Sequence, residues 1–402
     1  MNYLISAYSV NPYLGSEDSI GWNWVLQHEK NYKKGDRIFL LTKKFNEIDT
    51  RRGFKEFNIQ HVEIVIVDVP NVLNWFREKY SIFHHMYYIL WQHWAWKWVK
   101  QSGIKFDVIH HVTMNDYRIP SEMYKASNAK VIWGPVGGAQ VTPESLRCYE
   151  KNLIAANFRE FINKSCSWNP IYKRAIRKYS DIYCINEETR KQLQKIVQRD
   201  IKLLPELAIR DEYKNLRIED RDNKVLKLVF VGRLIGKKGV SFLIDALNFL
   251  PKDLDWELLI FGDGNDRDLI QEKVQLWGMQ SKIKLMGNRP LSQITEAYEQ
   301  ADIFVLPSLR ETSGNVLLEA MAYAVPIVSF NTSFCKTLND RKCGIFIDTN
   351  QSLEKIQKNF CNAIVQLANS KELRKQFGRN GYIYANGLTW EDKYQKIYGK
   401  YR

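Results

Sequence analysis

The sequence predicts an α/β protein made of two parallel-sheet, Rossmann-like domains, and three observations carry that prediction. Short apolar strands alternate with helical segments along most of the chain, and the alternation runs through two cycles. A polar stretch, DEYKNLRIEDRDNK at 211–224, divides them. At 402 residues the chain also exceeds what one ordinary core holds.

In the first cycle NYLISAYSV reads as a strand that breaks at Asn11, Pro12 and Gly15, and the segment 19–30 reads as a helix. RIFLLT (37–42), VEIVIVDV (62–69), FDVIHHV (106–112) and AKVIWGP (129–135) continue the strands. The second cycle has LKLVFVG (226–232), WELLIFG (256–262), IKLMG (283–287), DIFVLP (302–307) and PIVSF (326–330), with helices at 240–249, 266–277, 292–300 and 315–324. At the end, Trp390, Tyr394, Ile397 and Tyr401 recur at helical spacing and define one apolar face. The expected division is 1–210, with the helix 388–402 added, and 211–387.

Hydrophobic content of 45% and charged content of 26% exclude a disordered chain. No apolar run approaches the ~18 residues of a spanning helix, and MNYLISAYSV lacks a basic region and cleavage site. A chain that stays in the cytoplasm is expected. Six scattered cysteines without a CxxC pair suggest neither a zinc site nor a disulfide framework. The formal charge is +14, and most of it lies early: residues 1–210 hold 31 Lys and Arg against 21 Asp and Glu. Such a field favours anionic partners, among them nucleic acid, anionic lipid and phosphorylated substrate.

Two loops carry chemistry. After LKLVFVG come Arg233 and Lys238, just ahead of the helix from Val240. Cations at the carboxyl end of a strand are placed to grip phosphates, a planar fork and a point charge together suiting a diphosphate. The alternative is two solvated loop cations. The second loop follows DIFVLP and reads SLRETSGNVLLEAMA. Amides around Gly314, Asn315 and Val316 are free donors at a helix start, which suits an anion. Glu311 precedes that turn and Glu319 follows it among Leu317, Leu318, Ala320, Met321 and Ala322. A buried carboxylate is costly without a partner, and Glu319 stands six residues after Ser313, too far for a capping box. Hydroxyl binding by two acids around a phosphate, or a buried salt bridge, would account for it.

The run ETSGNVLLEAMAYAVP (311–326) resembles the E-x7-E motif of retaining glycosyltransferases of family 4, and GRLIGKKG resembles their diphosphate loop. FGDGND and ADIFVLPS are similar to flanking pieces of that domain; PYLGSEDSIGWNW (12–24) and WGPVGGAQ (133–140) resemble the amino-terminal domain of a bacterial surface-polysaccharide branch. The likeness is weakest over 45–105 and 141–180. It implies a GT-B fold, with two Rossmann-like domains facing across a cleft and the C-terminal helix returning to the first.

On this resemblance Arg233 and Lys238 neutralise a leaving diphosphate and Glu319 accepts from ribose hydroxyls. Glu311 holds donor-sugar hydroxyls near the reacting carbon, and Ser313, Gly314, Asn315 and Val316 contact sugar or phosphate. Gly15 lets the first loop approach the diphosphate. His111, Gly137 and Gly138 fall on the acceptor and donor-sugar side. Many relatives carry His-x-His where this chain has His110, His111 and Val112, so His111 is either a substitute or a buried structural histidine.

The implied reaction moves a sugar from a nucleoside-diphosphate-sugar to a glycan or lipid-linked acceptor. Fixed cations stabilise the departing diphosphate, so neither metal nor cofactor is expected. Asp253 and Asp255, the D-x-D of the chain, read as a solvated turn. The aromatic helix over 75–98, rich in Trp and flanked by Lys79, Lys97 and Lys100, is either a core helix or a peripheral contact with anionic membrane at its inner face. Nucleic acid is not expected as a partner, since no nucleic-acid motif accompanies the charge. A GT-B epimerase or phosphorylase, and a non-catalytic nucleotide- or nucleic-acid-binding protein, are the alternative readings.

Overall fold

The computed structural model describes residues 1–402 apart from 16, 71–82, 210–212, 217, 219, 312, 313 and 402, and the backbone alone of 83–85. Two compact units result, each discontinuous in sequence. The first is Met1–Ala139, Phe161–Glu206 and Trp390–Arg402; the second is Gln140–Glu160 and Leu207–Thr389. The sequence division differs from this mainly at 140–160, which it placed with the first domain and which packs in the second unit.

The first unit holds β1 (Asn2–Ser6), β2 (Arg37–Thr42), β3 (Val62–Ile66), β4 (Val108–His111), β5 (Lys130–Val136), β6 (Asp181–Cys184) and β7 (Lys202–Leu203). They form one sheet in the order β3-β2-β1-β4-β5-β6-β7, parallel at every pairing. The second unit holds β8 (Leu226–Val231), β9 (Trp256–Phe261), β10 (Ile283–Gly287), β11 (Ile303–Leu306), β12 (Ile327–Phe330) and β13 (Gly344–Ile347). Their order is β10-β9-β8-β11-β12-β13, again all parallel. Helices on both faces explain why these strands are nearly continuous apolar runs. In each sheet the strand order reverses once, between β1 and β4 and between β8 and β11. Loops at the carboxyl ends of those strands frame the crevice where open α/β sheets bind ligands.

The helix Trp390–Tyr398 belongs to the first unit, as expected, but its inner face differs by one position. Trp390, Tyr394, Ile397 and Tyr398 are the buried apolar residues, while Tyr401 lies in the following turn with its hydroxyl donating to Asp181. Tyr398 stands edge-on to His28 at 4.6 Å and to Tyr3 at 6.1 Å, and Trp390 meets Trp24 at 5.5 Å. Burying side chains of this size contributes about 1.5–3 kcal/mol each, which fixes the helix to the sheet of its own unit. Lys393 is buried on the same helix 3.9 Å above the Trp390 ring. Burial pulls its ammonium down to about 7.

The helix Phe83–Gln101 contains the described part of the aromatic segment 75–98; residues 75–82 lie outside the described residues. Tyr87, Tyr88, Trp91, Ala95 and Val99 are buried in the core of the first unit, with Trp94, Trp96 and Trp98 packed against it. Trp91 Nε1 donates to Val67 O at 2.8 Å. The rings of Tyr87, Tyr88 and Trp91 therefore face inward, as the core alternative expects of them.

His110 is buried, and its Nε2 lies 2.7 Å from Gly134 O, an obligate acceptor. Its Nδ1 is then the acceptor for the Tyr398 hydroxyl at 2.7 Å. Burial, chiefly, lowers the imidazole to about 4, so it is neutral at pH 7. Tyr398→Phe removes the hydroxyl that donates to a buried nitrogen and should cost about 1–3 kcal/mol in denaturant unfolding; an unchanged midpoint would show the bond to be dispensable.

Candidate functional site

In the second unit the reversal point brings together the loop after β8 and the loop after β11. The β8 loop ends in a short turn, Gly236–Lys238, and then Gly239, whose φ of 72° lies in the left-handed region. A Cβ on Gly239 would stand 1.9 Å from Pro307 O, so the loops touch backbone to backbone there. Lys237 O accepts from Leu309 N at 2.9 Å and from Ser308 Oγ at 3.1 Å. These contacts fix the two loops before any side chain meets another.

Across that joint Lys238 Nζ pairs with Glu311 Oε2 at 2.7 Å, both side chains largely buried. Glu311 Oε1 accepts from the Gly314 amide at 3.2 Å, where the helix Asn315–Ala322 begins. Burial by itself pushes the Glu311 carboxyl up. The Lys238 charge, with hydrogen bonds from Lys238, Ser308 and Gly314, outweighs it and holds the group below its ordinary value. The acid is thus an anion with a fixed direction.

Arg233 is exposed at the end of β8. Lys237, which the sequence reading passed over, is the more informative cation. Burial first, then the Arg233 and Lys238 charges, lower it to about 8. Arg310 adds to the same effect, so Lys237 feels three other cations against the Glu311 carboxylate, Lys238 being paired with that acid and Arg310 with Glu150. Like charges gathered at partly buried positions are expensive unless an anion offsets them.

Glu319 differs from expectation in degree. Leu317, Leu318, Ala320, Met321 and Ala322 are buried, but Glu319 is half-buried, and the buried Tyr298 hydroxyl donates to Oε2 at 3.2 Å. Its cost is therefore smaller than a core carboxylate's. Tyr298 lies on the helix Leu291–Gln300 and stacks on Tyr323 at 5.8 Å, a partner that helical periodicity on one element cannot reveal. Gly314 has φ 66°, and a Cβ there would meet Phe334 at 2.7 Å. Val316 is on the first turn with Asn315; Ser313 lies outside the described residues.

The segment 140–160 braces these loops. Glu150 pairs with Arg310 at 3.1 Å and also accepts from Thr142. Gln140 Nε2 donates to Glu311 O at 3.5 Å, and Tyr149 OH donates to Asp245 at 2.9 Å. Tyr149 O would be 3.2 Å from a Cβ on Gly236. Nothing local in the sequence links these residues to loops 90 to 170 positions away.

The remaining predicted residues fall in the first unit. Gly15 is exposed in the loop after β1. Gly137 pairs with Asp116 and donates to Asn115 O at 2.9 Å, and a Cβ on Gly138, whose φ is 108°, would stand 3.0 Å from Asp116 Oδ1. His111 is placed inward. It is fully buried, with Nδ1 2.9 Å from Ser6 Oγ and Nε2 2.8 Å from Tyr88 OH, and burial, chiefly, lowers it to about 3. Both nitrogens are engaged with side chains of the first unit, the arrangement expected of a buried structural histidine. At the same end of β1 stands Glu17, which the sequence reading did not single out. It accepts from Met114 N at 3.3 Å, and burial followed by the Glu206 charge pushes it up to about 8. Asp253 and Asp255 are exposed in the turn before β9, as the solvated-turn reading has it.

Both units have the parallel-sheet, Rossmann-like fold of the GT-B class. Residues 211–384, less than half of the chain, match the family model described as glycosyl transferases group 1. Among curated relatives, an uncharacterized glycosyltransferase of Methanocaldococcus jannaschii, MJ1178, is 29% identical over 40% of this chain and 44% of its own length. The capsular polysaccharide biosynthesis glycosyltransferase CapM of Staphylococcus aureus is 27% identical over 44% of this chain and 48% of its own. The chain thus spans less than half the length of these two relatives. Among solved structures, WaaG, a glycosyltransferase involved in lipopolysaccharide biosynthesis, superposes over 99% of this chain and 100% of its own with a TM-score of 0.61 at 18% identity. That likeness is one of fold.

Gly239→Ala tests the joint between the loops. A left-handed φ and a carbonyl in the way leave the methyl no room, so unfolding should become easier by at least about 1 kcal/mol; a neutral result in a denaturant titration would mean that the loops are not locked there.

Proposed function

We propose that this chain is a retaining, metal-independent glycosyltransferase. It moves a sugar from a nucleoside-diphosphate-sugar to a glycan or lipid-linked acceptor in bacterial surface-polysaccharide assembly. The observation that carries this reading is the Lys238 to Glu311 pair, held against the Gly314 amide at a helix start inside the segment that matches glycosyl transferases group 1.

The chemistry follows from charge. As the bond between sugar and phosphate breaks, negative charge grows on the leaving diphosphate and positive charge on the sugar. Lys238, Arg233 and Lys237 surround a position for the first, and cations fixed beforehand need no rearrangement when that charge develops. Glu311 offers a carboxylate aimed by two donors for the sugar hydroxyls. Glu319, one helical turn beyond Asn315 and bonded by Tyr298, offers an acceptor for ribose hydroxyls. The polysaccharide setting draws on the described functions of relatives such as CapM.

A thermal-shift panel of nucleotide-sugars compares the native chain with Glu319→Ala. One donor class should stabilise the native chain, by about 2.7 kcal/mol at a hundredfold excess over Kd, and the variant clearly less. Equal stabilisation of both removes the ribose role of Glu319, and no stabilisation by any donor removes the proposed activity.

Lys237 adds a pH signature. Its charge is present below about 8 and is lost as pH rises through that value, whereas a nucleoside diphosphate is already fully ionised. Affinity for nucleoside diphosphate should therefore fall several-fold between pH 7 and pH 9 by calorimetry. The fall should flatten in Lys237→Met; the same slope in both would assign the dependence to another group.

A further inference from the structure

The helix Leu153–Cys166 leaves most of its large apolar side chains outside the core. Ala156, Asn163 and Cys166 are buried and Ile162 packs partly against the core, while Ile154, Phe158 and Phe161 point outward at spacings of four and three. Trp168 and Ile171 follow on the turn and at the start of the next helix, Pro170–Lys178. These five side chains are between 62% and 82% exposed. Large apolar side chains gathered in so short a span mark a surface that something covers.

Charge identifies the occupant. Residues 161–178 contain Lys164, Lys173, Arg174, Arg177 and Lys178 and no acid, and none of the five makes an ion pair with a described residue. The contrast with the basic pocket of the second unit is clear, because Lys371, Lys375 and Arg374 there already face Asp222, Asp220 and Asp302. Cations without an acidic partner among the described residues, interleaved with Trp, Phe and Ile, suit a boundary that is apolar on one side and anionic on the other. A second copy of this chain would set five cations against five.

We infer that the exposed face of 161–178, in the first unit, is a docking surface for an anionic lipid bilayer, with Phe161, Trp168 and Ile171 entering the interface and Lys164, Arg174, Arg177 and Lys178 meeting the headgroups. The aromatic helix over 75–98 offers less to such a contact, because Tyr87, Tyr88 and Trp91 are buried in the core. No helix among the described residues is long and apolar enough to cross a membrane, so the surface rests on the bilayer. The inference stands independently of sugar transfer.

Co-sedimentation of the full chain with phosphatidylcholine vesicles, with and without half phosphatidylglycerol, at low and high salt, tests it. The native chain should pellet with the anionic vesicles at low salt and ten times less with the neutral ones or at high salt. Phe161→Ser/Trp168→Ser/Ile171→Ser and, separately, Lys164→Glu/Arg174→Glu/Arg177→Glu should each lose at least tenfold, with far-UV circular dichroism unchanged. Met86→Ser/Ile89→Ser, on the exposed side of Phe83–Gln101, should bind as the native chain does. Equal binding by the native chain and both segment variants overturns the proposal, as does loss confined to the Met86/Ile89 variant. A concentration-dependent dimer abolished by the apolar variant, without vesicle binding, overturns it in favour of a second copy.

Discussion

The pairing of Lys238 with Glu311 is the contact on which the second unit's loops converge. A buried ion pair is a poor source of stability, because desolvating two charges costs about as much as their attraction returns. Its use here is directional. Lys238 comes from the loop after β8 and Glu311 from the loop after β11, the strands between which the order reverses. The pair therefore ties together two loops that a parallel sheet brings side by side, and the Gly314 amide gives the carboxylate a second anchor.

Once that tie is in place, the surplus of positive charge acquires meaning. The charges of Arg233, Lys238 and Arg310 act on Lys237 against that of Glu311, and Lys237 responds by giving up its proton more readily. An anionic ligand would offset that repulsion. The segment 140–160 limits how the loops could relax instead, since Glu150 engages Arg310 and Tyr149 engages Asp245. A site of this kind is held rigid from two directions and left electrostatically unsatisfied in the middle.

Much of the fold was legible because parallel strands buried on both faces are apolar runs of the right length. RIFLLT and IKLMG coincide with β2 and β3's counterpart β10 to the residue, and the loop motifs then fell at strand ends. What escaped was short or polar: β6 and β7, with four and two residues, carry too few positions for a period to show, and β13 adjoins loop residues at both ends. The inner face of the last helix shifted from Tyr401 to Tyr398 because the helix ends at Tyr398 and a tighter turn follows.

By itself the sequence determined the class of fold, the two loops with their cations and acids, and the glycines that let backbones approach. These depend on residue type and local spacing, which a single chain displays. Only the tertiary structure decided that His111 is consumed by Ser6 and Tyr88, that Tyr298 supports Glu319, and that 140–160 belongs with the second unit. It also decided that the aromatic face of Phe83–Gln101 turns inward while that of Leu153–Cys166 turns outward. Periodicity shows that a helix has an apolar face. Which way the face points depends on what the rest of the chain places against it.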